Sequence, residues 1–203
     1  MTRVLVVSAH PLPDSLTAHL ARRLVAQAQA AGAEVEWLDL GAAGFDPVLT
    51  GAERATTYAP PYDGRAVAEE MAQLARAELL VLVFPTWWFG LPAQMKGWLD
   101  RVWAPGLAYD HRADLGRIVG RLTGLRGVMV ATTLGAATWV DWLVMRQPLR
   151  RVLKWGVVRF CAPRARFVYH ALHSAEAASP ARIARHEARL MRSLATLLSS
   201  CKA

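Results

Sequence analysis

The sequence LLVLVFPTWWFGLP occupies residues 79–92, and its first six residues form the most hydrophobic run of the chain. Such a run, ended by a proline and a turn, predicts a strand that is buried on both faces. Pro92 lies where the first turn of a helix tolerates proline, which predicts a helix from there to about Trp103. A buried strand followed directly by a helix is the repeating unit of a parallel α/β sheet.

The same alternation of strand and helix continues on both sides of this unit. Further strands are predicted at residues 4–7, 34–38 and 127–132 and within residues 157–169. Further helices are predicted after Asp14 or Ser15, over residues 65–77, over residues 139–155 with an interruption at Pro148, and from Ser179-Pro180 to about residue 199. Residues 41–64 are rich in glycine and proline and are predicted to form a long loop.

Five strands alternating with helices predict a single α/β domain over residues 1–203. The expected architecture is a doubly wound parallel sheet of the flavodoxin-like order 2-1-3-4-5, with helices on both faces. In such sheets ligands bind beyond the carboxyl ends of the strands, where the winding direction reverses. This rule selects the three loops at residues 8–17, 85–92 and 132–138.

The composition excludes several classes of protein. Of the 203 residues, 54% are hydrophobic and 20% are charged, a balance that excludes intrinsic disorder. No apolar run reaches the roughly 18 residues that a membrane-spanning helix requires. Cys161 and Cys201 are the only cysteines, which excludes a disulfide framework and a four-cysteine zinc site. We therefore expect a cytoplasmic protein without a metal site.

Positive charge is concentrated in the second half of the chain. Residues 1–100 carry a net charge of −4, whereas residues 101–203 carry +12. A basic run over residues 146–166 has the charge to neutralise phosphates, but no nucleic-acid-binding motif accompanies it, so a solvated face or a dimer contact is expected and no nucleic-acid partner. Trp139, Trp142 and Trp155 flank this run, yet Pro148 interrupts the helix that a membrane-surface contact would need.

Each of the three selected loops allows two interpretations. Taken alone, the loop at 8–17 is better explained as a capped helix with a solvent-facing His10, and residues 132–138 as an ordinary turn. The aromatic residues at 87–89 favour a ligand cleft over a buried aromatic corner or a protein contact. The loop at 8–17 leads into a helix N-terminus, where free N–H groups favour an anion, and Ser8, His10, Ser15 and Thr17 add polar side chains. Three consecutive aromatic residues at 87–89 provide walls on which a flat redox ring can stack. Residues 132–138 are small or hydroxylated and allow close approach of a ligand. Neither a Gly-x-Gly-x-x-Gly motif nor a Walker lysine is present.

Together these segments resemble the NAD(P)H:quinone oxidoreductase family, the DT-diaphorase-like enzymes of flavodoxin fold. Residues 84–102, FPTWWFGLPAQMKGWLDRV, are similar to the family segment F-P-x-x-W-F-x-x-P-A-x-x-K-G-W-x-D/E-R-V. Ala9-His10 with Ser15-Leu16-Thr17 is similar to the family's A-H…S-F-N loop. Residues 106–109, GLAY, are similar to its G-F-A-Y/F turn, and residues 132–135, TTLG, stand where the family has T-T-G-G.

The resemblance implies a flavin cofactor, FAD in preference to FMN, and NAD(P)H as co-substrate. It implies that the flavin is contacted by His10, Ser15, Leu16 and Thr17 at its phosphate and ribityl chain, by Pro85, Thr86, Trp87, Trp88 and Phe89 at its ring, and by Thr132, Thr133, Leu134 and Gly135 at its other edge. It further implies that Tyr109 contacts the nicotinamide or quinone and that His111 is a candidate proton donor.

Family members transfer a hydride from NAD(P)H to flavin N5 and then pass two electrons to a quinone, commonly at a homodimer interface. The resemblance therefore implies a homodimeric quinone reductase. Leu134 replaces a family glycine, which leads us to expect a narrower mouth to the acceptor pocket. Two alternatives are a flavin-binding regulatory subunit of a membrane ion-efflux system and a flavodoxin-type electron carrier. The positive second half argues against a carrier.

Overall fold

The computed structural model describes residues 1–111 and 118–202, except for the side chain of Lys202, and its centre is a parallel sheet. In chain order the strands are β1 Arg3–Ser8, β2 Glu34–Asp39, β3 Leu79–Pro85, β4 Tyr109–His111, β5 Ile118–Gly120, β6 Gly127–Leu134 and β7 Arg166–His173. Five of them pair in parallel in the order β2-β1-β3-β6-β7, which confirms the predicted flavodoxin-like order. The short strands β4 and β5 form a separate antiparallel pair that the sequence did not predict.

Helices connect the strands. Their bounds are α1 Leu16–Ala30, α2 Gly51–Thr56, α3 Ala68–Arg76, α4 Ala93–Val102, α5 Pro148–Arg151, α6 Arg159–Cys161 and α7 Pro180–Lys202, with 3₁₀ turns at Arg65–Val67 and Ala175–Ala177 and π-helical segments at Val140–Val144 and Val152–Val158. No helix within the described ranges combines the length and the apolar character needed to cross a bilayer.

The helices cover both faces of the sheet, as predicted. On one face, Leu24 of α1 and Leu194 of α7 pack with Val81 of β3. On the other face, Trp98 of α4 and Leu153 pack with the next residue of the strand, Leu82. Successive residues of a strand face opposite sides, so a strand with helices on both sides has to be apolar throughout. Every residue of β3 is accordingly buried.

Two elements differ from the sequence-based expectation. The predicted loop at 41–64 contains α2, because Thr50 and Glu53 form a capping box in which each side chain accepts a hydrogen bond from the other's backbone N–H. The prediction of a strand within 157–169 was wrong for residues 157–161, which are helical. Val157 and Val158 have strand-forming side chains, but Val158 packs in the helix-covered core. The fifth strand of the sheet is Arg166–His173.

The predicted interruption of the helical residues 139–155 at Pro148 is confirmed. The first π-helical segment ends at Val144, Arg146 and Gln147 have left-handed φ values of 56° and 50°, and Pro148 occupies the first position of α5. Helical structure then continues from Pro148 to Cys161. A proline at this position removes no hydrogen bond, because the first N–H of a helix has no acceptor within the helix.

A buried ion pair between Glu53 of α2 and Arg101 of α4 connects these two helices, and Arg101 also contacts the loop before α2. The Arg101 guanidinium donates to Glu53 Oε1 at 2.8 Å and to the Asp46 carbonyl at 2.6 Å, and both charged side chains are at most 6% exposed. Burial alone would raise the pKa of Glu53, but hydrogen bonds from Thr50 and Arg101 keep it below its usual value. Gly97 in the same helix lies against Pro47, where a side chain would collide with the backbone.

Removing one partner of this pair leaves a buried charge uncompensated. We expect Arg101→Ala to lower the free energy of unfolding by about 3–5 kcal/mol. Lys96→Ala is the matched control, since Lys96 is on the same helix and pairs with Asp100 at an exposed position; its cost should be at most about 1 kcal/mol. Urea unfolding of both variants measures the difference, and equal costs would contradict a structural role for the buried pair.

Candidate functional site

The three loops selected from the sequence meet at the carboxyl edge of the sheet. The Ala9 N–H donates to the Val83 carbonyl at 3.1 Å, and the Thr86 N–H donates to the Thr133 carbonyl at 2.7 Å. The rings of His10 and Trp87 lie 6.2 Å apart, centre to centre. Parallel pairing of β1, β3 and β6 produces this convergence, because strands that run in the same direction end at the same edge.

The first loop presents a helix N-terminus whose side chains are already engaged. Ser15 Oγ caps α1 by accepting from the Ala18 N–H at 3.1 Å, and His10 Nδ1 accepts from the Leu12 N–H at 3.0 Å. The N–H groups of Leu16 and Thr17 precede the first intrahelical bond and remain available for a ligand. An anion at this end of α1 would therefore be held mainly by backbone donors and by the helix dipole.

The second loop is a tight turn with two aromatic residues in a left-handed conformation. Trp87 and Gly90 exchange backbone hydrogen bonds of 2.9 and 3.2 Å, while Trp88 and Phe89 have φ values of 51° and 56°. A turn with positive φ at both central residues normally carries Asn-Gly, and side-chain sterics make this conformation cost about 1–2 kcal/mol per residue. The Trp88 side chain is 100% exposed. Such strain is typical of functional sites.

The hydroxyl groups of Thr86, Thr132 and Thr133 lie beside this turn, at the ends of β3 and β6. Thr86 Oγ1 and Thr132 Oγ1 are hydrogen-bonded at 2.8 Å, and Thr132 and Thr133 are buried. The hydroxyl of Tyr169 interacts with Thr86, and burial raises the pKa of Tyr169, so this phenol is neutral at physiological pH. The sequence analysis did not single out Tyr169, which lies at the end of the range predicted to contain the fifth strand.

Leu134, at the end of β6, is buried, with 6% of its surface exposed. The expectation that it narrows the mouth of an acceptor pocket stays a prediction. The next residue, Gly135, faces the carboxylate of Glu176, whose Oε2 lies 2.9 Å from the position that a Cβ atom would take. Glu176 therefore stands beside the third loop and limits the space there.

Tyr109 and His111 do not join the other candidate residues within one chain. Their strand β4 is reached through α4, whose ten residues rise about 15 Å away from the aromatic turn. The two rings pack edge to face at 5.4 Å, and His111 also contacts Tyr58. His111 lines a separate cavity of about 590 Å³ together with Tyr58, Tyr62 and Met71. The Tyr62 hydroxyl donates to the carbonyl of Arg101, near the far end of α4.

A basic pocket that the sequence analysis missed lies beside the third loop. Its volume is about 250 Å³, and it is lined by Thr138, by His173 at the end of β7 and by a row on α7 comprising Arg182, Arg185, His186 and Arg189. The spacing of this row, three, four and seven residues from the first, places all four on one helix face. This periodicity is visible in the sequence, but neither the net charge of the second half nor the basic run over residues 146–166 identifies this helix face.

Two polar contacts organise the pocket. His173 Nε2 donates to Asp141 Oδ2 at 3.0 Å, and Arg182 donates to the His173 carbonyl at 2.8 Å. His186 is 5% exposed, and its Nε2 has no hydrogen-bond partner among the described residues. Burial, together with the nearby His170 and Arg189, lowers the pKa of His186 to about 4, although Glu187 acts in the opposite direction. Neither Arg185 nor Arg189 forms an ion pair within the described ranges.

Comparison with known proteins identifies the family. The Flavodoxin_2 family model, described as a flavodoxin-like fold, matches residues 2–194. The uncharacterized NAD(P)H oxidoreductase YcaK of Escherichia coli K12 is 39% identical over 124 residues, which cover 57% of this chain and 61% of that protein. NAD(P)H dehydrogenase [quinone] 1 of Cavia porcellus is 29% identical over 181 residues, which cover 79% of this chain and 65% of that enzyme.

This chain thus spans less than two thirds of the length of those two relatives. Among solved structures, Smu.1420 of Streptococcus mutans UA159 superposes with a TM-score of 0.78 at 28% sequence identity. The superposition covers 95% of this chain and 98% of that one. The likeness therefore extends over nearly the whole of both chains.

The buried, neutral His186 makes stability depend on pH. Its pKa of about 4 in the folded protein is below the ordinary value of 6.5, so the unfolded chain binds the proton more readily between these values. The free energy of unfolding should therefore fall, by up to roughly 3 kcal/mol, as the pH is lowered from 6.5 towards 4.

We expect His186→Leu to reduce this fall, as measured by urea unfolding at pH 7.5 and 4.5. Each protein's value at pH 7.5 serves as its own reference. Part of the fall remains in the variant, because burial lowers the pKa of His170 as well. An unchanged pH dependence would contradict the assignment to His186.

Proposed function

Since this chain belongs to the Flavodoxin_2 family, we propose that it binds a flavin and is an NAD(P)H:quinone oxidoreductase. The observation that carries the proposal is the strained turn at Trp87–Gly90, which holds a fully exposed tryptophan at the carboxyl edge of the sheet. An exposed aromatic face in an unfavourable backbone conformation is explained if a flat ring stacks on it. Relatives named as NAD(P)H oxidoreductases and a quinone dehydrogenase support the same activity.

The residues at this edge fit a flavin. The free N–H groups of Leu16 and Thr17 would hold its phosphate, and the aromatic turn would cover its ring and exclude water. Thr86 and Thr132, which are fixed by their mutual hydrogen bond, would contact a flavin held at this edge. A bound flavin supplies two-electron transfer between NAD(P)H and an acceptor, chemistry that no amino-acid side chain provides.

FAD suits this site better than FMN because of the basic pocket. The pocket adjoins the third loop through Thr138 and contains Arg185 and Arg189, which form no ion pair with any residue that the structure describes. A second phosphate and an adenosine would extend beyond the helix N-terminus that binds the first phosphate, and forked guanidinium groups suit phosphate oxygens. FMN has no group to occupy such a pocket.

We propose that the complete site needs a second copy of the chain. Tyr109 and His111 follow the end of α4 that lies away from the aromatic turn, and their ring contacts are with each other and with Tyr58. This placement supports a role for them across a boundary between two copies. In a homodimer the same residues of a neighbouring copy would supply the wall that faces the nicotinamide or quinone, with His111 in position to deliver a proton. The acceptor would be a quinone or a similar aromatic molecule.

The visible spectrum of the purified protein tests the proposed function. We expect wild type reconstituted with FAD to be yellow, to lose this absorbance on anaerobic addition of NADPH, and to regain it on addition of benzoquinone. Trp88→Asn should bind flavin several-fold more weakly, because a stacking face worth on the order of 0.5–1.5 kcal/mol is lost.

The same variant should unfold at higher urea concentration, because asparagine tolerates a positive φ that tryptophan resists. Weaker flavin binding by a more stable protein separates loss of function from misfolding. If Trp88→Asn binds flavin as tightly as wild type, the turn is not part of the flavin site. A protein that gains no flavin spectrum with either FAD or FMN would contradict the whole proposal.

The choice between FAD and FMN has its own test. We expect Arg185→Ala/Arg189→Ala to raise the Kd for FAD at least tenfold while leaving the Kd for FMN unchanged, since hydrogen bonds to charged groups contribute about 1.5–3 kcal/mol each. Arg192→Ala is the control, because Arg192 is on the same helix and does not line the pocket. Fluorescence titration measures each Kd, and equal weakening for both flavins would refute a role for this pocket in FAD binding.

A further inference from the structure

A cavity of about 590 Å³, which we call the tyrosine cavity, lies beside the C-terminal end of α4. Its walls come from the segment 56–62, from Met71 of α3 and from residues 105–111. Pockets that hold small organic molecules in proteins have volumes of roughly 300–1,000 Å³. The aromatic turn at Trp87–Gly90 precedes the opposite end of the same helix. The tyrosine cavity is therefore separate from the three loops that converge at the carboxyl edge of the sheet.

The walls of the tyrosine cavity consist mainly of rings. Tyr58, Tyr62 and His111 contribute aromatic rings, and the ring centres of Tyr58 and His111 lie 5.1 Å apart. Met71 contributes a thioether, which makes favourable contacts with aromatic rings. Further flat apolar faces are supplied by Pro60, Pro61 and Pro105. Rings and flat faces of this kind suit a planar ligand better than a branched one.

The charged and polar groups inside the cavity already have partners. The Tyr62 hydroxyl donates to the carbonyl of Arg101 at 3.1 Å. Asp110 accepts a hydrogen bond from the Gly106 N–H and pairs with Arg121 at 2.6 Å. Burial raises the pKa of Tyr62 to about 12, so its phenol is uncharged at physiological pH. A ligand in this cavity therefore meets compensated charges, which favours an uncharged molecule.

Two polar side chains of the cavity can still bond to a ligand. Tyr58 is 59% exposed and therefore lies at the mouth, where the Arg54 guanidinium is 4.8 Å from the centre of its ring. Neither the Tyr58 hydroxyl nor the ring of His111 forms a hydrogen bond with a residue that the structure describes. A phenol and an imidazole can each donate a hydrogen bond to an oxygen atom.

We propose that the tyrosine cavity binds an uncharged, planar molecule of two fused aromatic rings that carries a hydroxyl or carbonyl oxygen. Its rings would pack against Tyr58, Tyr62 and the proline faces, and its oxygen would accept from Tyr58 or His111. A single ring would bury less apolar surface, and an alkyl chain would leave both donors without a partner.

This function goes beyond the proposed redox reaction and does not require a bound flavin. The ten residues of α4 separate the cavity from the aromatic turn by about 15 Å along the helix. In the homodimer proposed above, His111 would also face the acceptor of a neighbouring copy. A ligand in the cavity would then contact one residue of that wall, so occupancy of the cavity would affect acceptor binding.

Calorimetric titration of the full chain with 2-naphthol tests the proposal, both without flavin and after reconstitution with FAD. We expect the same Kd in both states and binding of phenol about tenfold more weakly, because phenol lacks the second ring. Tyr58→Ala and His111→Ala should each raise the Kd for 2-naphthol at least fivefold. Phe160→Ala is the matched control, since Phe160 is 51% exposed and does not line the cavity; it should bind like wild type.

Trp88→Asn tells the tyrosine cavity from the aromatic turn. A ligand held in the cavity keeps its Kd in this variant, whereas a ligand stacked on the turn binds more weakly. The proposal is overturned by weaker binding in Trp88→Asn, by binding that requires FAD, by equal weakening in Phe160→Ala, or by unchanged binding in both cavity variants. It is also overturned if wild type does not bind 2-naphthol, including the case in which a second copy closes the cavity. Since the titration needs no flavin, failure of this proposal and failure of the proposed redox function are distinguishable.

Discussion

Parallel pairing of β3 with β1 on one side and β6 on the other is the constraint on which the rest of the molecule depends. The register places Ser8 beside Val83 and Pro85 beside Thr133. The loops that follow the three strands therefore lie next to one another at the same edge of the sheet. The backbone groups of β3 are buried, and only neighbouring strands can satisfy them. A strand of this kind needs helices on both faces. Two of these helices, α1 and α4, begin where the first two candidate-site loops end.

The sequence predicted most of this fold because its central strands are apolar throughout and have no competing interpretation. Predictions failed where local pattern and tertiary packing disagreed. Val157 and Val158 look like a strand, yet packing of Val158 beside Leu149 and Leu153 keeps them helical. The helix α2 was hidden within a glycine- and proline-rich segment, although the Thr50-x-x-Glu53 capping box was visible.

The candidate site was predictable in part for a similar reason. Strand ends identify which loops converge, and so the sequence correctly selected the segments around His10, Trp87 and Thr132 for one edge. The order of strands and helices does not show how far a residue after a helix lies from the strand before it. Tyr109 and His111 follow the ten residues of α4, which lead away from that edge. The row of basic residues on α7 was missed because its meaning depends on Thr138 and His173, which only the folded sheet brings beside it.

The packing of α7 against α1 has a consequence for synthesis of the chain. One face of the sheet is closed only when Leu190, Leu194 and Leu197 reach Val81 and Met129. More than a hundred residues separate β3 from these leucines, and at about 5–20 residues per second a ribosome needs roughly 5–20 s to deliver them. During that interval β3 has been synthesised, but the face of the sheet that α7 covers stays exposed. Chaperones bind exposed apolar surface of this kind.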